Sequence, residues 1–198
     1  MKALLMKDCC VLWRRMRTFL LLVLVFSAIP GVFQNTFAIT YAAMIPYAVF
    51  SVDETSKWDT LASMMPYSVK DMVLSKYLLG GITLMAALVS TLVLSRLVGA
   101  FTGAEATPIH ILLAASCVSV LLIDLTLPMV FHFGVEKARL TMVLLIAGVC
   151  GSAGALSGMV DSSALQRFSL GFALLPVAAV AATCVSIPLS VRIYKGRE

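Results

Sequence analysis

The sequence has few charged residues. Only 13% of its 198 residues are Asp, Glu, Lys or Arg, whereas 61% are hydrophobic, and the mean hydropathy is +1.00. A soluble domain carries about 25% charged and about 45–50% apolar residues, so this chain has more apolar surface than one soluble core buries. The composition argues against a disordered chain or a nucleic-acid-binding domain, although the net charge of +5 would suit the latter. We therefore predict an integral membrane protein that binds lipid and no nucleic acid.

Histidines and the sequence motifs of catalytic, metal-binding or nucleotide-binding sites are also scarce. The chain has two histidines, His110 and His132, and no HExxH pair, no GxxxxGK[ST] phosphate loop and no GxSxG nucleophile turn. The sequence therefore predicts no catalytic residue, no metal site and no ATP site of its own. If this protein uses ATP, another subunit must bind it.

The cysteines do not form a disulfide framework. There are five, an odd number, and they lack the spacing of metal ligands. Cys9 and Cys10 are adjacent near the N-terminus, whereas Cys117, Cys150 and Cys184 each lie alone in an apolar stretch. We predict that they are small buried hydrophobic residues.

Runs without charge divide the chain into six apolar segments. The first run, residues 18 to 52, holds 35 uncharged residues, and as one helix it would reach about 52 Å, well beyond a hydrocarbon core of about 30 Å. Because Pro30-Gly31 and Gln34-Asn35-Thr36 interrupt it, we predict two segments that fold back, as full spans or as a re-entrant pair. The predicted segments are 18–33, 37–51, 72–95, 109–131, 140–160 and 168–191.

The distribution of basic residues predicts the orientation. With both termini inside the cell, 13 of the 15 Lys and Arg residues lie on the cytoplasmic side, and only Arg96 and Arg167 do not. We predict an all-α polytopic membrane protein, one domain over 1–198, with six transmembrane helices. Residues 1–17 fit a cleaved signal peptide badly because the stretch is long and carries Asp8, so we expect a retained interfacial helix with Trp13 at the headgroups.

One acidic residue, Asp124, lies deep in a predicted span. A charge at the centre of a transmembrane helix costs on the order of 2.5–3.5 kcal/mol on insertion scales, so we expect a role for it. Two roles are open. The first is structural: a buried hydrogen bond to a neighbouring helix, or a protonated acid. The second is a place on a substrate path or at a gate. His110 and Cys117 share its helix face, but neighbours about 10.5 Å apart along the axis cannot form one metal site. Pro128 predicts a kink.

Glycines cluster in the fifth segment. Gly151, Gly154 and Gly158 lie there, and the last two are four residues apart. Small residues at this spacing let helix backbones approach closely. We predict a helix-packing site, within the subunit or across a dimer, rather than the lining of a pore.

The polar 53–71 loop between the second and third segments has the clearest pattern. Asp53-Glu54 can complement a helix N-terminus. Pro66 ends a short amphipathic helix, and Ser68 can cap another helix that begins near Val69. The apolar face of the short helix consists of Trp58, Leu61, Ala62 and Met65. Such a helix either docks on a partner or lies on lipid.

A known family shares this loop pattern. The matching residues are Asp53-Glu54, Ser56-Lys57-Trp58-Asp59, Met65-Pro66, Ser68, Lys70-Asp71 and Val73-x-Ser75-Lys76-Tyr77. They resemble the first cytoplasmic loop of ABC-2 type transporter permeases, in particular a small bacterial group that includes the permease subunits of the phenol-soluble modulin exporter. The opening Met1–Asp8, the six-segment layout and the basic tail Arg192-Ile193-Tyr194-Lys195 also fit. Pro66-Tyr67-Ser68 departs slightly from the expected Pro-Val-Ser.

The resemblance implies the non-catalytic permease subunit of an ATP-driven exporter in a bacterial plasma membrane. Two permease subunits, identical or paralogous, would associate, each docked on a separate ATP-binding subunit that holds ATP and Mg. The 53–71 loop would contain the coupling helix, which Pro66 ends. Its apolar anchors would be Trp58, Leu61 and Met65, and its polar rim Glu54, Lys57, Asp59 and Lys70. The exported compounds would be amphipathic or antimicrobial peptides or lipophilic molecules.

The residues alone leave two other functions open. A stand-alone ion- or proton-coupled carrier would use Asp124 as its titrating group, but such carriers often contain inverted repeats and we find no convincing repeat between the halves. An intramembrane enzyme would need a nucleophile–base pair or a metal site, which the sequence does not offer.

Overall fold

The computed structural model describes residues 2–15, 17–29, 31–58, 64, 68–103, 107–159 and 169–195. These described residues form eight α-helices and no β-strand, which confirms the all-α class. The helices are α1 (Lys2–Arg15), α2 (Arg17–Ala28), α3 (Val32–Ala42), α4 (Met44–Thr55), α5 (Val69–Thr102), α6 (Ile109–Phe133), α7 (Val135–Met159) and α8 (Ser169–Lys195).

Four helical stretches in this described part are long and apolar enough to cross a membrane. They are Val32–Thr55, which joins α3 and α4, Lys70–Phe101, Ile109–Phe133 and Leu175–Lys195. The predicted segment 18–33 overlaps α2 (Arg17–Ala28), whose 12 residues reach only about 18 Å. The predicted segment 140–160 lies in α7 as far as Met159. Six spans and the inward orientation of both termini therefore stay predictions.

The first apolar run folds back at Gly31, in the first of its two predicted interruptions. The second predicted interruption, Gln34-Asn35-Thr36, is wrong: it lies inside α3, so the returning segment begins at Val32 and not at residue 37. Gly31 stands before α3 with a φ of 149°, a backbone conformation that L side chains rarely adopt. The returning helix packs against α2, where the rings of Phe26 and Phe37 meet edge to face at 4.8 Å. The Oγ of Ser27 and the Oγ1 of Thr91 share a buried hydrogen bond of 2.8 Å, which joins α2 to α5.

The centre of the bundle is α6, which packs against α3, α5, α7 and α8. Its fully buried Leu112 and Leu127 belong to one apolar core with Ile39 and Ile45 of the α3–α4 stretch and Leu79 of α5. The helix continues through Pro128 to Phe133. This packing brings the end of α4, the start of α5 and the end of α6 together, next to α1.

The prediction of buried cysteines is wrong for most of those that the structure describes. Cys9, Cys10 and Cys184 are exposed, and Cys117 is half-buried, while the side chain of Cys150 lies outside the description. The expectation came from soluble proteins, in which small apolar residues avoid water. In a membrane protein the outer face of the bundle contacts lipid, so the thiol of Cys184, in the candidate span Leu175–Lys195, loses nothing there. Cys9 and Cys10 lie on α1, outside the predicted spans, where the core does not cover them.

Candidate functional site

Four charged side chains meet at the end of the bundle where the 53–71 loop begins. Lys76 of α5 donates to Asp53 of α4 at 2.6 Å and to Asp8 of α1 at 3.0 Å. Lys7 of α1 donates to Asp53 at 2.7 Å, and its Nζ lies 3.1 Å from the Oδ1 of Asp8. We call Lys7, Asp8, Asp53 and Lys76 the charge cluster. It joins three helices that are far apart in the sequence.

The charge cluster is neutral, and three of its four side chains are buried. Its side chains are 22% exposed for Lys7, 8% for Asp53 and Lys76, and 0% for Asp8. Two cations and two carboxylates cancel, as they must where water cannot screen a charge. Within the described residues, the Oδ2 of Asp8 has no hydrogen-bond partner. Both lysine contacts that stabilise the buried carboxylate of Asp8 are therefore made through its Oδ1.

Trp58 extends the charge cluster into the 53–71 loop. The Nζ of Lys7 lies 4.2 Å from the centroid of the Trp58 ring, within the range of a cation–π contact. A cavity of about 20 Å³, lined by Trp58, Asp53 and Lys76 among others, lies at this junction. This is room for about one water molecule. The first residues of the loop therefore pack on α1 and on the charge cluster.

The end of α4 also holds the start of α7. The carboxylate of Glu54 accepts a hydrogen bond of 3.2 Å from the backbone N–H of Val135, the first residue of α7. The hydroxyl of Tyr47 donates to the carbonyl of the same residue at 3.1 Å. Asp53-Glu54 is predicted to complement a helix N-terminus, and Glu54 does so at α7, while Asp53 belongs to the charge cluster.

The structure describes part of the predicted coupling site. Glu54, Lys57 and Lys70 are exposed, and Trp58 is half-buried. Lys57 follows the last turn of α4 with a φ of 53°, in the left-handed region. The predicted residues Asp59, Leu61, Met65 and Pro66, and with them most of the predicted amphipathic helix, lie outside the described residues.

The second predicted helix of the loop region begins where expected. α5 starts at Val69, and Ser68 occupies its N-cap position. The carbonyl of Ser68 accepts hydrogen bonds from the N–H groups of Asp71 at 2.9 Å and Met72 at 3.2 Å. These are the first bonds of the helix itself, and the hydroxyl of Ser68 makes no capping bond to the described residues, so the predicted side-chain cap is not seen there.

A second polar network crosses the apolar interior around Asp124. Thr183 of α8 donates to the Oδ2 of Asp124 at 2.8 Å, and Ser186 donates to its backbone carbonyl at 2.5 Å. The hydroxyl of Tyr77 on α5 bonds with Ser186 at 2.6 Å and with Ser190 at 2.9 Å. The predicted hydrogen bond from Asp124 to a neighbouring helix is thus present. Its place on a substrate path stays a prediction.

The predicted packing glycines lie in α7. A Cβ added at Gly148 or Gly151 would meet no described atom within 4 Å, so the described part of the chain does not pack there. Gly154 and Gly158 are in the last turns of the same helix. Packing across a dimer stays a prediction. Among the described residues, no group of three or more His, Cys, Asp or Glu could hold a metal ion.

The charge cluster is the feature that sequence reasoning missed. From the sequence alone, Lys7 and Lys76 count as cytoplasmic cations, Asp8 as a residue that a signal peptide would not carry, and Asp8 and Lys76 as parts of the family pattern; none of them is predicted to contact another. One signal was present: Lys76 lies inside the otherwise uncharged segment 72–95. A lysine within a span needs a partner, and its partners are 23 and 68 residues away in sequence.

A comparison with protein families finds a match that covers nearly the whole chain. A family described as ABC-2 family transporter protein matches residues 3–195, from the second residue of α1 to the last of α8. No curated protein and no solved structure matches the chain.

Proposed function

This chain belongs to the ABC-2 transporter family, and on this basis we propose that it is half of the membrane path of an exporter for amphipathic or antimicrobial peptides or lipophilic compounds. Family membership makes it the permease subunit of an ABC transporter, a transmembrane and generally non-catalytic subunit. Its general partner is an ABC ATP-binding subunit. The proposed exporter pairs two such permeases, identical or paralogous, in a bacterial plasma membrane, with ATP and Mg on the partner subunits.

The junction between the 53–71 loop and the helices is the observation that supports a coupling role for this loop. α4 ends at Thr55 and α5 begins at Val69. The 2.6 Å contact between Asp53 and Lys76 joins the two helices, because Asp53 is the first residue of the loop and Lys76 lies just after its last. Because the base is tied, a partner that moves the loop moves both helices. Closure of an ATPase would then become a rigid-body movement of the permease.

The exposed residues of the loop suit a docking surface. Lys57 and Lys70 flank the part of the loop that carries the predicted anchors, and both are exposed. An apolar centre with a charged rim is the common composition of a protein interface. In the proposed complex, Leu61 and Met65 insert into a cleft of the ATP-binding subunit, and the two lysines lie at its edge.

The test is purification of the tagged chain from its native membrane in mild detergent, with mass spectrometry and an ATPase assay. We expect an ATP-binding protein with a Walker A motif to co-purify. Leu61→Asp should lower its recovery and the ATPase activity at least tenfold, because a charge would enter an apolar cleft. Lys137→Glu is the matched control, since Lys137 is exposed at the start of α7, outside the loop.

Two results would contradict the proposal at different levels. Recovery and ATPase activity of Leu61→Asp at the level of the unaltered chain would exclude the loop as the docking site. A chain that purifies alone, without ATPase activity, would favour the alternative of a stand-alone ion- or proton-coupled carrier. Asp124 supports that alternative, because in the described residues its carboxylate bonds to Thr183 and forms no ion pair.

A further inference from the structure

The N-terminal helix α1 has a charged residue, Asp8, on its buried face. Its Leu4, Asp8 and Leu12, each four residues from the next, are all buried, and Asp8 is 0% exposed. A helix that only anchors a protein on lipid keeps its charges in water and its apolar face in the membrane. Here Asp8 and Lys7 bond to other helices of the bundle instead. The arrangement fits a helix that is fixed to the protein at a defined point.

α1 is fixed next to both ends of the 53–71 loop. Lys7 reaches Asp53, two residues before the end of α4, and Asp8 reaches Lys76, in the second turn of α5. Lys7 also lies over the ring of Trp58. α1 therefore contacts the first residue of the loop, Trp58 within it, and α5 just after it.

Each member of the charge cluster contacts both members of opposite charge. Asp8 lies near Lys7 and Lys76, and Asp53 does too. A displacement of one helix would separate at least one buried pair, which is costly where water cannot replace the partner. Movement of α1, α4 and α5 together leaves all the pairs intact. The charge cluster thus favours joint movement of the three helices.

We propose that Lys7 and Asp8 are positioning residues for coupling, which hold α1 to both ends of the 53–71 loop so that α1 moves with the loop during the transport cycle. The inference rests on the proposed function, because the partner that moves the loop is the ATP-binding subunit. It adds a third helix to the unit that receives the movement. It also assigns a role to Lys7 and Asp8, which the docking surface does not use.

The chain contains its own reporters for this movement. Cys9 and Cys10 are exposed on α1, directly after the charge cluster residues Lys7 and Asp8. The experiment measures their alkylation by N-ethylmaleimide, residue by residue with mass spectrometry, in the purified complex with its ATP-binding subunit. Rates are compared without nucleotide and after trapping with ATP and vanadate. Lys195→Cys, on the exposed end of α8, reports changes that are not specific to α1.

The decisive variant is Lys7→Gln with Asp8→Asn. It removes one cation and one anion, so Asp53 and Lys76 still pair and no buried charge is left alone. For the unaltered complex we expect trapping to change the Cys9 and Cys10 rates at least threefold. The double variant should reduce that change to less than 1.5-fold, with ATPase assembly retained, whereas Lys7→Arg should behave like the unaltered chain.

Three results would overturn the proposal. The first is a full trapping response in the double variant, which would mean that other contacts carry α1. The second is an unaltered complex that hydrolyses ATP without any change at Cys9 or Cys10. The third is loss of the complex in the double variant, which would make the charge cluster a purely structural feature. If no ATP-binding protein co-purifies with the unaltered chain, it is the proposed function that fails.

Discussion

Removal of the Lys76 ammonium group is the sharpest test of the charge cluster as a source of stability. Lys76→Met keeps the length and apolar stem of the side chain but deletes its cation. Asp8 and Asp53 would then share Lys7 alone, at 3.1 and 2.7 Å. The buried site would change from neutral to a net charge of −1. A well-packed apolar residue cannot compensate for that charge.

The expected loss is large. Removal of one partner from a buried ion pair typically costs about 3–5 kcal/mol. For a chain of 150–250 residues, each kcal/mol lowers Tm by about 2–4 °C, which gives a fall of about 6–20 °C. Lys76→Met with Asp53→Leu should recover most of this loss, because Lys7 and Asp8 then form one remaining neutral pair. Lys70→Met, at an exposed position of the same helix, should change stability by no more than about 0.5 kcal/mol.

The Tm of all three variants is measured by thermal unfolding in detergent, with size-exclusion chromatography of the tagged chain as the readout. With Asp53→Leu measured alone as well, the double-mutant cycle separates the coupling between Lys76 and Asp53 from the loss of packing. A Tm within 2 °C of the unaltered chain for Lys76→Met would refute the reasoning. So would a double variant that is less stable than the single one, since that would mean that charge balance does not govern the site.

Three further predictions concern the rest of the bundle. Asp124→Asn should leave co-purification of the ATP-binding subunit unchanged. The second measurement is ATP-dependent uptake of a fluorescent amphipathic peptide by inside-out vesicles. A fall in uptake would assign Asp124 to the substrate path, whereas unchanged uptake would leave it only the structural role of its hydrogen bond to Thr183. Gly31→Ala should lower stability by about 1–3 kcal/mol, measured by the same thermal unfolding, because alanine rarely adopts a φ of 149°. Thr91→Val should cost about 0.6–1.7 kcal/mol in that assay, because Ser27 loses its partner; no loss would mean that Ser27 bonds equally well elsewhere.

Much of the helix layout follows from the sequence because lipid imposes a simple rule on it. The segments predicted at 72–95 and 109–131 lie within α5 (Val69–Thr102) and α6 (Ile109–Phe133). Long uncharged runs mark them, and a helix satisfies every backbone group within itself. The turn at Gly31 follows equally from a local signal. These features depend on neighbours in sequence and need no knowledge of packing.

The charge cluster could not be predicted in this way. Its contacts join residues 46 and 68 positions apart, from Lys7 to Asp53 and from Asp8 to Lys76. Which carboxylate meets which ammonium depends on how α1, α4 and α5 pack, and no short-range pattern encodes that. The link from Glu54 to Val135 spans 81 positions and is hidden for the same reason. The sequence indicated that Glu54 suits a helix N-terminus but not which helix.

The neutrality of the charge cluster has a consequence for how the chain enters the membrane. Lys7 and Lys76 are among the cations that predict the orientation, and that bias acts while helices insert, before they pack together. In the folded protein, both are cancelled by Asp8 and Asp53. On the predicted orientation, the two lysines thus act first as free topogenic charges and afterwards as members of a paired interface between helices. Attraction to anionic lipid in the mature protein then falls to the basic residues that remain exposed, Arg14, Arg17 and Lys195 among them.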